Sequence, residues 1–278
     1  MEKQRRLRRI DWAVTVGCAA LILMTLGAVG NTGRGRAKEA VCQANLRQWH
    51  GIFQSYIEDN DGHFFTGANS LGYWWPLQLS HEYQDWRKNR AWLCPRAMTP
   101  IYDEIGIVSS IPPIFTAWGI FTTPTSMTYD GKTYVMNSNG LAGSYSLNGY
   151  VLDIDGTYYE SGMPASEGWA DLNNVPDADR VPLFIDALRF DVWPHDTQAP
   201  AASEYAAWSN NHMARCCINR HDGAVNCLFV DGSVRKVGLK ELWTLKWHRS
   251  FDTAGPWTKA GGAQPEDWPE WMRPFKDY

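Results

Sequence analysis

From Trp12 to Val29 the chain runs WAVTVGCAALILMTLGAV, eighteen residues without a charge. That is the lower end of what an α-helix needs to cross a bilayer. Three glycines then fall within six residues (Gly30, Gly33, Gly35), and each weakens a helix by about 1 kcal/mol relative to alanine. Beyond them Ala37, Val41, Ala44, Trp49, Phe53 and Tyr56 recur at three- to five-residue intervals, one apolar stripe on an otherwise polar segment. This period predicts an amphipathic helix over 31–62. It ends at EDNDGHF, with Gly62 as a left-handed C-cap. From Phe64 the helical period is gone. Short β-like runs (YWWPLQL, IPPIFTAWGIFT, KTYVMNS, SYSLNGYVLDI, VPLFIDAL) alternate with Gly, Pro, Asn and Asp. Asp191–Ser209 is polar and proline-bearing, a surface loop. A leading helix followed by a mainly antiparallel sheet makes an α+β chain.

Charge places these elements. The net charge is −4, but residues 1–40 hold eight Lys/Arg against three acids, a net of +5, which leaves −9 for the remainder. An acidic body excludes nucleic acid, which needs a clustered basic face. The basic 1–11 segment sets the amino terminus in the cytoplasm by the positive-inside rule. Residues 12–30 are then the transmembrane helix and 63–278 a head beyond the cytoplasmic membrane. The competing expectation is a cleaved signal peptide, with AVG at 28–30 as the cleavage site. Outside the span lie Cys42, Cys94, Cys216, Cys217 and Cys227, in a compartment where disulfides persist.

Candidate chemistry concentrates in RHDGAVNCLFVDGSVRKV, 220–237. His221 with Asp222 or Asp231 offers a base and an orienting carboxylate, but no nucleophile motif accompanies them. His212, Cys216, Cys217, His221 and Cys227 lie within sixteen residues, and zinc takes four such ligands; the spacing matches no finger, and no metal is expected. Architecture accounts for more. Arg215–Asn219 and Val225–Val230 are strand-like around an Asp222-Gly223 turn, and Asp231-Gly232 opens a second hairpin. Asp-Gly is the pair that type I′ turns select. His221 would cap the first turn, and Cys217 and Cys227 would come nearly opposite, within disulfide reach. Asp59-Asn60-Asp61-Gly62 does not complete a calcium loop, because no bidentate Glu closes it.

Six segments in order carry a resemblance: VCQANLRQWHGIFQSYIEDNDGHF (41–64), WLCPRA (92–97), GSYSLNGYV (143–151), VPLFIDA (181–187), NRHDGAVNCLFVDGSVRKV (219–237) and the tail 242–278. Together they resemble the pilin-like proteins of the type II secretion and type IV pilus class. The nearest branch is the prepilin-type "H-x9-DG" one of planctomycete-like bacteria. The resemblance implies a pilin-like fold and assembly through the amino-terminal helix. Partners would be like subunits and an inner-membrane assembly machinery, with no cofactor and no enzymatic activity. His221, Asp231 and Gly232 belong to its signature. Asp11 stands where the family's assembly glutamate falls, but Arg6 occupies the position of the glycine at which prepilin peptidase cuts. The chain is therefore expected to stay uncleaved. Cys42 and Cys94 form the natural helix-to-sheet disulfide.

The tail, 239–278, is rich in tryptophan. Trp257, Trp268 and Trp271 are candidate glycan-stacking residues or, on the favoured reading, buried anchors. The functional expectation is a structural subunit of a pseudopilus or pilus-like filament. Its alternative is a membrane-tethered binding module, for glycans among other ligands, that no longer polymerises.

Overall fold

A computed structural model describes residues 30, 33–67, 74–101, 112–159, 161–205 and 211–278. The chain divides into two compact units, Met1–Ala40 and Val41–Tyr278. In the first, residues 30 and 33–40 are described, and all are helical. Asp11 and the Trp12–Val29 span lie outside the described residues. Among the described residues no helix is long and apolar enough to cross a membrane.

The second unit opens with helix α1, 41–59. Its buried face is Cys42, Leu46, Trp49, Ile52 and Phe53, spaced at three and four residues. The expected stripe is thus turned slightly. Ala44 is exposed and Val41 is half exposed, at 50%, while Cys42 and Leu46 take the inward positions. The helix ends as its sequence indicates: Gly62 has φ of 87° and its N–H bonds the Ile57 carbonyl at 2.9 Å.

Among the described residues the strands are β1 (Thr99–Pro100), β2 (Thr116–Phe121), β3 (Ser126–Tyr129), β4 (Lys132–Val135), β5 (Leu141–Gly143), β6 (Tyr145–Asn148), β7 (Pro182–Asp186), β8 (Asp191–Val192), β9 (Ala224–Phe229) and β10 (Val234–Gly238). The main sheet has the order β10-β9-β7-β6-β8, antiparallel except for β6 with β8. A second sheet is β1-β2-β5, and β3 with β4 forms a separate hairpin. The described residues also include the short α-helices α2 (His81–Gln84) and α3 (His212–Cys216), with several 3-10 turns between elements. The chain is α+β with mixed and antiparallel sheets.

Two expected strands are not strands. In YWWPLQL, Pro76 sits at the start of a 3-10 turn, Trp75–Gln78; proline favours a helical first turn and cannot donate to a ladder. Arg215–Asn219 is displaced by α3, which Asn211 caps through bonds from the Met213 and Ala214 N–H groups. An asparagine cap outweighs the weak β preference of the residues that follow.

The core is aromatic. Trp49 of α1 lies 4.3 Å from Trp92, 5.1 Å from Phe184 on β7 and 6.1 Å from Trp75, centroid to centroid. Its indole N–H is satisfied by the Ala91 carbonyl at 2.9 Å. The tail is anchored the same way. Trp243, Trp247 and Trp268 are buried, and Trp257 and Trp271 are half-buried. The Trp243 and Trp271 N–H groups bond the Gln198 and Ala201 carbonyls at 3.0 and 2.9 Å. Indoles committed to backbone in this way favour anchoring over stacking on a sugar.

A buried cluster of two cysteines, an aspartate and a histidine

Four separate segments deliver four ligating side chains to one point. Cys42 comes from α1, Cys94 from the chain after Trp92, Asp186 from the end of β7 and His221 from the turn before β9. One ligand atom from each lies within 4.8 Å of the others, and all four residues are buried. The same contacts that build the core bring them together. Asn45, one turn along α1 from Cys42, donates to the Leu93 carbonyl at 2.9 Å, and Trp49 does likewise at Ala91. Tyr145 pairs with Asp186 across β6 and β7 and donates its hydroxyl to the Cys42 Sγ at 3.2 Å. On the outside, Arg96 and Asp222 clamp the Cys94 and His221 loops with two bonds of 2.8 and 3.0 Å.

The internal distances are short. Cys94 Sγ is 3.4 Å from His221 Nε2, which is 3.2 Å from Asp186 Oδ2. Cys42 Sγ is 3.6 Å from that same carboxylate oxygen. Asp186 also accepts from the Asn226 N–H at 2.9 Å and from Arg220 at 3.1 Å. Arg220 is wholly buried, and its remaining donors reach the Ile114, Ser144, Thr116 and Ala187 carbonyls.

Electrostatics follow from this arrangement. Burial alone would raise the Asp186 carboxyl, but His221, Arg220 and the Asn226 N–H hold it down at about 2. Burial would lower His221, yet the Asp186 carboxylate and Cys94 carry it up to about 9. Burial pushes the Cys42 thiol well up, with Cys94 and Asp186 adding to the effect. Cys94 goes the other way, to about 7: burial opposes ionisation, but hydrogen bonds from Cys42 and His221 outweigh it. These shifts leave the Asp186 carboxylate facing two cations, His221 and Arg220, beside a neutral Cys42 thiol.

A Cys–His–Asp relay would place the nucleophile on one ring nitrogen and the carboxylate on the other. Here Cys94 and Asp186 both face Nε2, and Nδ1 has no partner. One N–H cannot serve both, and a wholly buried thiol meets no substrate. The geometry is convergent rather than sequential, which is the geometry of coordination. A divalent ion bound by two thiolates, a carboxylate and an imidazole is what this donor set can hold.

No family model, curated protein or solved structure matches this chain.

The sequence candidates distribute unevenly around this centre. Cys42, Cys94 and His221 meet there. His221 is not a turn cap through its side chain: its backbone N–H closes the turn onto the Ala224 carbonyl at 3.0 Å, and the ring turns inward. Asp222 and Gly223 both have positive φ, 54° and 80°, as a type I′ turn requires. Asp231 and Gly232 lie at the far end of the β9–β10 hairpin. Of that pair only Gly232 has a positive φ, 82°, so the turn is of the type I plus bulge kind, closed by the Gly232 N–H on the Phe229 carbonyl. Asp231 bonds the Ser233 N–H.

Cys217 and Cys227 are not opposed. Cys217 follows α3 and packs on the Met272 sulfur at 3.9 Å, whereas Cys227 on β9 stands across from Arg235 and Ile185. All five described cysteines are free thiols, Cys42 and Cys94 included. The grouping of His212, Cys216, Cys217, His221 and Cys227 does not form, because the α3 turn carries its members apart. Sequence reasoning misses Asp186 and Arg220. Their signal is nonetheless present: a carboxylate ending an apolar, fully buried strand demands a buried partner.

Proposed function

We propose that the chain is a pilin-like structural subunit, with its head outside the cytoplasmic membrane and assembled through its amino-terminal helix into a pseudopilus or pilus-like filament. The observation that carries this reading is the way α1 is used. It lays one stripe, from Cys42 to Phe53, onto the core through Trp49 and Phe184, and its remaining positions are largely exposed. The most reactive cluster is sealed inside that packing, as suits a structural part and not an active site. Like subunits, the membrane and an assembly machinery are the partners, and Asp11 sets subunit register.

The test is the intact mass and amino-terminal sequence of the native protein, taken from membrane and from sheared-surface fractions. Recovery in sheared material, cross-linked to like subunits, supports the filament. A chain confined to the membrane that cross-links to no like subunit refutes it.

A second reading, the tethered binding module, draws support from an open groove of ≈ 620 Å³ lined by Tyr56, His63, Tyr129, Tyr134 and Asp153 among others. Rings beside a carboxylate suit a sugar. Oligosaccharide binding abolished by Tyr134→Ala would favour this reading; no binding in the parent would remove it.

A further inference from the structure

We infer that Cys42, Cys94, Asp186 and His221 form a structural site for one zinc ion, coordinated by two sulfurs, a carboxylate oxygen and the His221 Nε2. This inference does not rest on the filament reading; a solitary anchored head would hold the ion equally well.

Metal–sulfur arms of about 2.3 Å and metal–nitrogen or metal–oxygen arms of about 2.0–2.1 Å are usual for tetrahedral zinc. Such a tetrahedron has sulfur–nitrogen and sulfur–oxygen edges of roughly 3.5 Å and a nitrogen–oxygen edge of roughly 3.3 Å. The corresponding edges here are 3.4 Å (Cys94 to His221), 3.6 Å (Cys42 to Asp186) and 3.2 Å (His221 to Asp186). All four ligand atoms lie within 4.8 Å of one another, and Nε2 faces both a sulfur and an oxygen, which one proton cannot satisfy.

Two thiolates, a carboxylate and a dication sum to −1, and the buried Arg220 on the Asp186 Oδ1 cancels it. A neutral whole is what a dry interior tolerates. The neighbouring groups also belong to a ligand cage. Tyr145 donates to the Cys42 sulfur, and the Asn226 N–H and Arg220 orient the carboxylate. Structural zinc sites are closed, with no open position for substrate, and this one is buried on every ligand. The soft sulfurs select zinc over magnesium or calcium, which prefer oxygen.

The experiment uses the full chain, purified in detergent without a polyhistidine tag. Metal content is measured by mass spectrometry, and thiols are alkylated with and without denaturant and chelator, then mapped by peptide mass. One zinc per chain is expected, with Cys42 and Cys94 alkylated only after denaturation with chelator. Replacement by cobalt should give the visible absorption of a tetrahedral thiolate site. Cys94→Ser should weaken zinc retention in a chelator competition by at least about tenfold, the scale on which even supporting residues act, whereas Cys216→Ser should retain it. A Cys42–Cys94 disulfide in metal-free protein overturns the inference. So does a reduced parent chain that takes up neither zinc nor cobalt, or loss of zinc in Cys216→Ser. The uptake measurement on the parent stands even if Cys94→Ser does not fold.

Discussion

Arg220 shows how one side chain ties distant strands together. Its guanidinium meets Asp186 and four backbone carbonyls, from Ile114, Thr116, Ser144 and Ala187, with no exposure to solvent. Removing it strips the Asp186 carboxylate of its guanidinium partner and takes a donor from each of four backbone carbonyls. Breaking a buried pair from one side costs about 3–5 kcal/mol. Arg220→Met should therefore lower the unfolding free energy, measured by denaturant titration, by that amount. An unfolding free energy within ~1 kcal/mol of the parent, the usual scale of ordinary point changes, would mean that water replaces the lost donors. His221 and Cys94, by contrast, stand out as reactive residue types from the amino-acid sequence alone. The sequence does not convey which of them share a point in space, because their partners lie far along the chain.

At the scale of elements, helix α1 is held chiefly by its aromatic stripe. Trp49 touches rings from three other segments and bonds the Ala91 carbonyl. Trp49→Ala opens a cavity in a close-packed region, and such changes cost about 3–5 kcal/mol. The expected outcome in urea is a matching loss of stability with an unchanged slope; a loss under 1 kcal/mol, at the low end of about 0.5–1.5 seen for trimming one methyl, would place the helix outside the core. Helix α1 is legible in the sequence because its 3.6-residue period holds from Cys42 to Phe53. The β9–β10 hairpin is legible because Asp-Gly pairs punctuate it. The Arg215–Asn219 strand fails for a local reason: the Asn211 cap starts a helix that a window on 215–219 does not see. YWWPLQL fails because a dense aromatic run suits any buried backbone, and proline decides against strand.

On the scale of the whole molecule, the response to acid follows from imidazoles that the fold keeps neutral. Burial lowers His248 to about 4 and His212 to about 3. His248 sits against Tyr150 and Phe251, with Ser250 on Nδ1 and His195 nearby; Asp196 and Glu167 oppose its downward shift, and Lys246 adds to it. His212 feels Arg215, Arg189 and His195. Both folded values lie below the unfolded value of about 6.5. The unfolded chain thus binds more protons between them, and stability is full above pH ~6.5 and falls as acid approaches the folded values. Each histidine can contribute up to about 1.4 kcal/mol per pH unit crossed. Thermal midpoints measured from pH 7 to 4.5 should fall, and His248→Phe should flatten the decline. A flat parent curve would show these rings to be solvated.

The cluster at the centre also sets when the head can be complete. Cys42 and Asp186 are 144 positions apart, and Cys94 and His221 are 127 apart. Contacts of that separation close late, since the chain entropy of long loops must be overcome before they return any stability. No fragment ending before residue 221 can bring the four side chains together, however much of β1–β8 it contains. Formation of the cluster is consequently tied to synthesis through residue 221: a fragment that stops short of it should keep Cys42 and Cys94 open to alkylation, whereas the folded chain buries both.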